Sequence, residues 1–302
     1  MILSNLKSVS LLLISAFFLA SCGGGQQTEE TSEDTEASAE FDEAKTEVIS
    51  GINQVIKDLP PPSEVPYLLM ATGSDYDPDL VNPLDKLDSY TSPASKAALN
   101  LGVYTTDVGY LASYEKAQPS LEYVSACQKL AESLGIASAM DIELIGRFER
   151  NLNNKDSLKI LVDEVLARTG ERLDAMDRLS VAGLVLGGTY IEGLYISTTL
   201  IENYPDDLPD ETSTLILEPL IKIVIDQGQS LDDLIKVMDD LGENEDISAL
   251  KSDLKAINQI YDSELAEVSK QISENTGDLV LEREVLASLT DKVQEIRSKI
   301  VQ

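Results

Sequence analysis

Two apolar stretches of the sequence, 98–110 and 183–195, each place an acidic residue three positions before a tyrosine. Asp107 precedes Tyr110, and Glu192 precedes Tyr195. In a helix, residues three apart share one face, and a buried carboxyl group must find partners or stay protonated. One interpretation is that these four side chains line a polar pocket for a cation or a small ligand. The other is a packed helix crossing whose acids bond hydroxyl and backbone groups or reach solvent.

Both pairs belong to a longer pattern that recurs 85 positions later in the chain. Segments 98–110 and 183–195 share a small residue, two leucines, a glycine, an acid and a tyrosine at the same spacing. Small residues four apart in each copy, Ala98/Gly102 and Gly183/Gly187, would let two helix backbones approach closely. We therefore hypothesise an internal duplication, with repeat units at about 93–175 and 178–245.

Other sets of catalytic or metal-binding residues are not apparent in the sequence. It contains no histidine, which is the base of most Ser and Cys triads and a common zinc ligand. Asp75, Asp77 and Asp79 alternate as at the start of a calcium loop. Leu80 and Lys86 stand where that loop needs glycine and glutamate, so a solvated acidic turn is favoured. We expect no catalytic residue, no metal and no cofactor, and a carboxylate-based enzyme is the remaining enzymatic alternative.

The charge of the chain argues against one class of partner. It has 23 Lys and Arg against 54 Asp and Glu, a formal net charge of -31 at pH 7. Such a surface repels phosphate backbones, so we expect no nucleic-acid partner. Of the two cysteines, Cys127 lies on the apolar side of a predicted helix, where a buried and unreactive thiol is expected.

The other cysteine, Cys22, follows an apolar run of signal-peptide length. That run is shorter than the roughly 20 apolar residues that span a bilayer. It ends in Leu19, Ala20, Ser21 and Cys22, which resembles the lipobox of bacterial lipoproteins. The resemblance implies that a lipoprotein signal peptidase binds Leu19, Ala20 and Ser21 and removes residues 1–21. Cys22 would then carry a diacylglycerol thioether and an N-linked acyl chain such as palmitate. The alternative is an ordinary secretory signal with a chance cysteine.

The residues after Cys22 predict how the protein is held. Gly23 rather than aspartate follows the cysteine, and by the same resemblance this favours the outer membrane, with a periplasmic or surface-facing orientation left open. Residues 23–44 contain eight acids and no base. Such a segment buries too little apolar surface to fold, so we predict that residues 22–44 form a disordered acidic tether.

From residue 45 to 302 the apolar residues recur with helical spacing, and no segment alternates with period two. The predicted fold is therefore all-α, either a multi-helix bundle or an αα-array. A long irregular connection is expected over 60–92, and a helical hairpin over 247–301. Leu179–Ile201 is nearly apolar enough to span a membrane, but Glu192 and several glycines favour a helix buried at the centre of a bundle. The predicted helices are 41–59, 93–115, 119–134, 138–152, 156–174, 178–202, 213–227, 230–241, 247–274 and 279–301.

Two quoted stretches carry a second resemblance: D88-S-Y-T-S-P-A-S-K-A-A-L-N-L-G-V-Y-T-T-D-V-G-Y110 and K129-L-A-E-S-L-G-I136. They are similar to uncharacterised helical lipoproteins of the Bacteroidota. The resemblance implies an envelope location and an all-α fold, and it assigns no catalytic or ligand-binding residue. The first hypothesis for function is a non-enzymatic envelope adaptor that contacts another protein. The second is a protein that binds a small ligand or a cation near Asp107/Tyr110 and Glu192/Tyr195.

Overall fold

The computed structural model describes residues 33–60, 64–151, 154–176, 178–205, 210–242, 244–274 and 283–302. The predicted signal peptide, its lipobox residues Leu19, Ala20 and Ser21, and Cys22 lie outside the described residues. All regular structure in the described part is helical, which confirms the all-α prediction. The α-helices are α1 (Glu33–Asp58), α2 (Glu64–Ala71), α3 (Leu87–Tyr90), α4 (Ala94–Ser113), α5 (Ala117–Ser133), α6 (Ile142–Asn151), α7 (Lys155–Asp174), α8 (Leu179–Glu202), α9 (Asp210–Asp240), α10 (Glu245–Ser263), α11 (Ala266–Glu274) and α12 (Ala287–Ile300).

Helix α1 begins at Glu33, inside the segment that the sequence predicted to be disordered. The tether predicted over 22–44 stays a prediction, since residues 22–32 lie outside the described residues. Glutamate and alanine are good helix formers, and acids are favourable near a helix N-terminus. These residues need no burial of their own to continue a helix whose later turns bury Val48, Ile52 and Val55. Residues 42–302 form one compact unit, and of residues 1–41 only the helical stretch 33–41 is described.

Helix α8 is the central helix of the compact unit. It packs against α4, α7, α9, α10 and α12, and most of its residues are buried. By length and composition it is also the one helix of the described residues that could cross a membrane. Inside the protein, however, 72% of its apolar window is buried. This arrangement agrees with the buried central helix that the sequence predicted.

The closest packing in the unit is the crossing of α4 with α8. A Cβ atom at Gly102 would lie 2.2 Å from the carbonyl oxygen of Val185, and one at Gly188 would lie 2.1 Å from that of Leu99. The predicted close approach at Gly102 is thus confirmed, and the α8 glycine that takes part in it is Gly188. Gly187 and Gly183 point elsewhere, towards Leu250 and towards Leu241 and Met238, respectively. Two glycines, one from each helix, therefore set the distance between the two backbones.

Helix α9 is continuous, although the sequence predicted two helices with a break near Gly228. A Cβ atom at Gly228 would lie 2.9 Å from the Tyr261 ring. The glycine therefore lets the α10 tyrosine pack against the α9 backbone and does not end the helix. The ring is held there because the Tyr261 hydroxyl donates a hydrogen bond to the carbonyl of Val224, at 2.8 Å.

The predicted C-terminal hairpin over 247–301 is present only in part. Helices α10 and α12 pack against each other, but the first arm is interrupted between α10 and α11. Helix α12 also packs against α8, so it is a core element rather than one arm of a separate hairpin. Its apolar stripe explains this position, since Leu289, Val293 and Ile296 are all buried. The predicted turn near residue 276 lies outside the described residues.

The connection over 60–92 is more regular than predicted. It contains α2, α3 and two short 3-10 helices, Pro78–Leu80 and Leu84–Lys86. The two predicted repeat units also differ in content: residues 93–175 hold α4 to α7, whereas 178–245 hold α8, α9 and the first residue of α10. The internal duplication stays a prediction.

We expect Gly188→Ala to lower the free energy of unfolding by about 1–3 kcal/mol, because the added methyl group must push α4 and α8 apart. Gly193→Ala in the same helix is the control, since a Cβ atom there meets nothing within 4 Å. The control should gain about 0.5–1 kcal/mol, the usual difference between alanine and glycine in a helix. Urea denaturation followed by circular dichroism measures both, and similar values for the two variants would contradict the close crossing.

Candidate functional site

The α4–α8 crossing brings Asp107 and Glu192 together in the core, where both side chains are fully buried. A third charged residue, Arg297 of α12, reaches into the same place. Its Nε lies 3.0 Å from Glu192 Oε2, and its Nη2 lies 2.9 Å from Glu192 Oε1. This is a two-point ion pair, the strong geometry for arginine and a carboxylate. The cation that these acids face is therefore the protein's own guanidinium. We call Asp107, Glu192 and Arg297 the acid cluster.

The two tyrosines of the sequence pattern lie in different surroundings. The Tyr195 ring lies under the Arg297 guanidinium, 4.2 Å from ring centre to carbon, which is a cation–π contact. Tyr110 instead fastens a loop: its hydroxyl donates to the carbonyl of Asp77 at 3.0 Å and accepts from the Asp77 N–H at 2.9 Å. Three of the four predicted residues thus gather at one site. Tyr110 does not join them.

The acid cluster holds two carboxyl groups but only one cation. Burial and the neighbouring Glu192 carboxylate raise the pKa of Asp107 well above its usual range. Burial also raises the pKa of Glu192, although the ion pair with Arg297 opposes this effect. Because Arg297 already neutralises Glu192, we assign the proton to Asp107. A proton on Asp107 would let that side chain donate to Glu192, which two ionised carboxylates could not do.

Asp107 has a second partner, which connects the cluster to a polar network. Its Oδ2 accepts a hydrogen bond from the Asn82 backbone N–H at 3.1 Å. Its Oδ1 is buried and has no hydrogen-bond partner among the described residues. The fully buried Asn82 uses its other groups as well. Its side chain donates to Asn100 at 3.3 Å and accepts from the Tyr90 hydroxyl at 3.2 Å, and its carbonyl accepts from the Tyr123 hydroxyl at 2.8 Å.

The same network holds the end of α12. The last carbonyl groups of a helix have no partner within the helix. Here the carbonyl of Val301 accepts from Lys86 Nζ at 2.8 Å and from the Tyr90 hydroxyl at 2.9 Å, and that hydroxyl shares its single proton between Val301 and Asn82. Asn100 Nδ2 donates to the carbonyl of Ile300 at 3.1 Å. The C-terminal helix is thus fixed at its end by hydrogen bonds and in its middle by Arg297.

Sequence reasoning missed Arg297 and Asn82, the two residues that complete the site. Arg297 shares α12 with Lys292 and Lys299, which form ion pairs nearer the surface, and nothing in the spacing marks one of the three as buried. The sequence contains one weak signal that Arg297 approaches the core, because it directly follows Ile296, a residue of the apolar stripe of α12. Asn82 lies in a connection without periodicity, where a buried hydrogen-bonding residue cannot be distinguished from a turn residue.

The structure also describes the other residues that the sequence singled out. The thiol of Cys127 is buried, and burial raises its pKa to about 12 despite its contact with the Thr105 hydroxyl. Asp77 and Asp79 form a local turn, in which the Asp79 N–H donates to the Asp77 carboxylate at 2.9 Å. Within the described residues, no group of three or more His, Cys, Asp or Glu side chains is arranged to hold a metal ion. The acid cluster is therefore the main concentration of buried charge, and its groups bind one another.

We expect Asp107→Asn to remove part of the pH dependence of stability. The native protein keeps a proton on Asp107 that the unfolded chain releases above about pH 4. The native state then binds more protons than the unfolded state, so wild-type stability falls relative to the variant as pH rises, by up to about 1.4 kcal/mol per pH unit. Asparagine keeps the neutral form at every pH, and its amide can still donate towards Glu192.

Urea denaturation between pH 4.5 and 8 measures this difference. Asp88→Asn is the matched control, because Asp88 is an exposed carboxylate in a surface ion pair with Lys129. It should leave the pH slope close to that of the wild type. An Asp107→Asn variant that differs from the wild type by the same amount at every pH would show that Asp107 is ionised in the native protein.

Comparisons with protein-family models, with curated proteins and with solved structures find no match to this chain. The roles given to these residues therefore come from their contacts, burial and charge. On those grounds the acid cluster joins the connection before α4, the central helix and the C-terminal helix.

Proposed function

We propose that the protein is a bacterial envelope lipoprotein, anchored in the outer membrane by lipid on Cys22, and that its helical body is a non-enzymatic adaptor. One observation carries the proposal: the sequence Leu19-Ala20-Ser21-Cys22 at the end of a short apolar run with Lys7 before it. A single acyl chain binds membranes weakly, whereas two or three hold a protein there stably. The acidic segment that follows would keep the helical body away from the membrane surface.

The chemistry of the helical body supports an adaptor better than an enzyme. Glu192 is fully buried and is neutralised by Arg297, whose side chain is 12% exposed. A general acid or base must reach its substrate, and both Asp107 and Glu192 are fully buried. The sequence also has no histidine. The titratable groups whose pKa is shifted most therefore stabilise the fold. Other molecules would bind at the surface of the helical body.

A candidate contact surface lies on the neighbouring helices α6 and α7. Two large apolar side chains are exposed there, Ile142 (87%) and Ile160 (59%). The two helices are held together by ion pairs, Arg147 with Glu164 at 2.7 Å and Arg168 with Asp141 at 2.9 Å. Because the chain has a net charge of -31, the partner that fits is an envelope protein with an apolar patch bordered by basic side chains.

For the anchor, we expect Cys22→Ala to abolish incorporation of labelled palmitate and to release the protein from the membrane fraction, because the thiol that carries the lipid is lost. Cys127→Ala is the matched control. It removes the other cysteine, which is buried in the helical body, and should leave labelling unchanged. Undiminished labelling and membrane association of the Cys22→Ala form would place the anchor elsewhere in the chain.

For the adaptor, we expect a photo-crosslinking amino acid at position 142 or 160 to capture the same envelope protein in cells. The same probe at Ser125, an exposed position on α5, is the control and should not capture it. Adduct yield at 142 and 160 should fall as salt is raised, because salt screens the attraction between acidic and basic surfaces. Equal adducts at all three positions, or none at 142 and 160, would contradict this surface.

A further inference from the structure

The acid cluster is covered by a segment that has little regular structure. Residues 76–86 lie between α2 and α3 and contain two short 3-10 helices. The segment reaches the cluster at two points. The Asn82 N–H donates to Asp107 Oδ2 at 3.1 Å, and the carbonyl of Leu80 accepts from Arg297 Nη2 at 3.3 Å. We call residues 76–86 the cover segment.

Away from these two points, hydrogen bonds between uncharged groups hold the cover segment in place. The Tyr104 hydroxyl donates to the carbonyl of Pro83 at 3.0 Å, and the Tyr123 hydroxyl donates to the carbonyl of Asn82 at 2.8 Å. Only the apolar side chains at 80–81 are buried. Each such hydrogen bond adds little net stability, so the segment can separate from the helices at a smaller cost than a core helix can.

The other elements around Asp107 are held more firmly. Helices α4 and α8 are in backbone contact at Gly102 and Gly188. Helix α12 is held by the two-point ion pair of Arg297 and by a buried apolar stripe. Helix α5 packs against α4 along its own buried face. The cover segment is therefore the element that separates most readily from Asp107.

The charges of the acid cluster make this separation depend on pH. Two fully buried carboxyl groups, those of Asp107 and Glu192, lie beside a single guanidinium, that of Arg297. With a proton on Asp107 the cluster has no net charge. Loss of that proton leaves one uncompensated negative charge among buried groups, which is costly unless water reaches it. Opening of the cover segment admits that water.

The other titratable groups near Asp107 do not change charge in the same pH range. Burial raises the pKa of the neighbouring phenols and of the one neighbouring thiol, so all of them stay neutral from about pH 5 to 8.5. They come from each element packed against Asp107: Tyr76 of the cover segment, Tyr104 of α4, Tyr123 and Cys127 of α5, and Tyr195 of α8. The remaining charged groups of the cover segment are half-buried or exposed, namely Asp77, Asp79, Asp85 and Lys86.

We propose that the cover segment is a pH-dependent flap, closed over the acid cluster while Asp107 holds a proton and open to water once Asp107 is ionised. The closed form binds one more proton than the open form does, so opening becomes more favourable as pH rises. The flap responds to the pH of the fluid around the helical body. It requires neither the lipid anchor nor a protein partner.

Hydrogen–deuterium exchange of the purified full chain from about pH 5.5 to 8.5, measured by mass spectrometry, tests the flap. After correction for the intrinsic exchange rate, we expect protection of the amide groups in 76–86 to fall as pH rises, by up to about tenfold per pH unit. Urea below about 1 M separates local opening from global unfolding, because only global unfolding exposes much new surface. Protection in 76–86 should not change with urea, whereas protection in 184–198 of α8 should fall.

Two variants identify the titrating group. Asp107→Asn keeps a neutral side chain at every pH, so protection of 76–86 should no longer change with pH. Asp79→Asn is the matched control, because it removes an exposed carboxylate of the cover segment itself and should keep the wild-type pH dependence. Three results would overturn the proposal: wild-type protection of 76–86 that is constant with pH, protection there that falls with urea in step with α8, or an unchanged pH dependence in Asp107→Asn.

Discussion

The close crossing of α4 and α8 is the constraint on which the rest of the structure depends. Gly102 and Gly188 allow the two backbones to touch, and between one and two turns later the two helices carry Asp107 and Glu192. Two acids brought together without water need a counter-charge and a proton. Arg297 supplies the charge, and that requirement places α12 against the crossing. Backbone contact between two helices therefore determines where a third helix lies.

The buried ion pair is better understood as fixing an arrangement than as adding stability. Removing arginine and glutamate from water is costly, and their attraction often does little more than offset that cost. An unpaired Glu192 would be far worse, so arrangements of α12 that do not bring Arg297 to it are disfavoured. Arg297 also donates to the carbonyl of Leu80 at 3.3 Å and lies over Tyr195. Three segments distant in sequence are thus tied together at one side chain.

The sequence predicts the features of this fold that follow from local periodicity, and it fails where a distant neighbour decides. Helical spacing identified α8 as the central helix, and small residues located the crossing at Gly102. Which α8 glycine meets Gly102 stayed open, because the sequence contains no information on the rotation of one helix about its axis. The break predicted between residues 227 and 230 does not occur, because Gly228 lies inside a continuous helix where the Tyr261 ring packs against it. Arg297 was missed because its partner is 105 positions away.

Helix α8 shows how one buried helix can carry so many polar and small residues. With 3.6 residues per turn, Gly188, Glu192 and Tyr195 share a face, which meets α4 and Arg297. Gly183 and Gly187 share a second face, against side chains of α9 and α10. Thr189, Gly193 and Ser197 share a third, which lines a small cavity among α1, α2, α7 and α9. Each face of α8 is therefore adapted to a different neighbour. The helix is apolar enough to be central, and its acid, hydroxyl groups and glycines lie at the positions where packing or charge requires them.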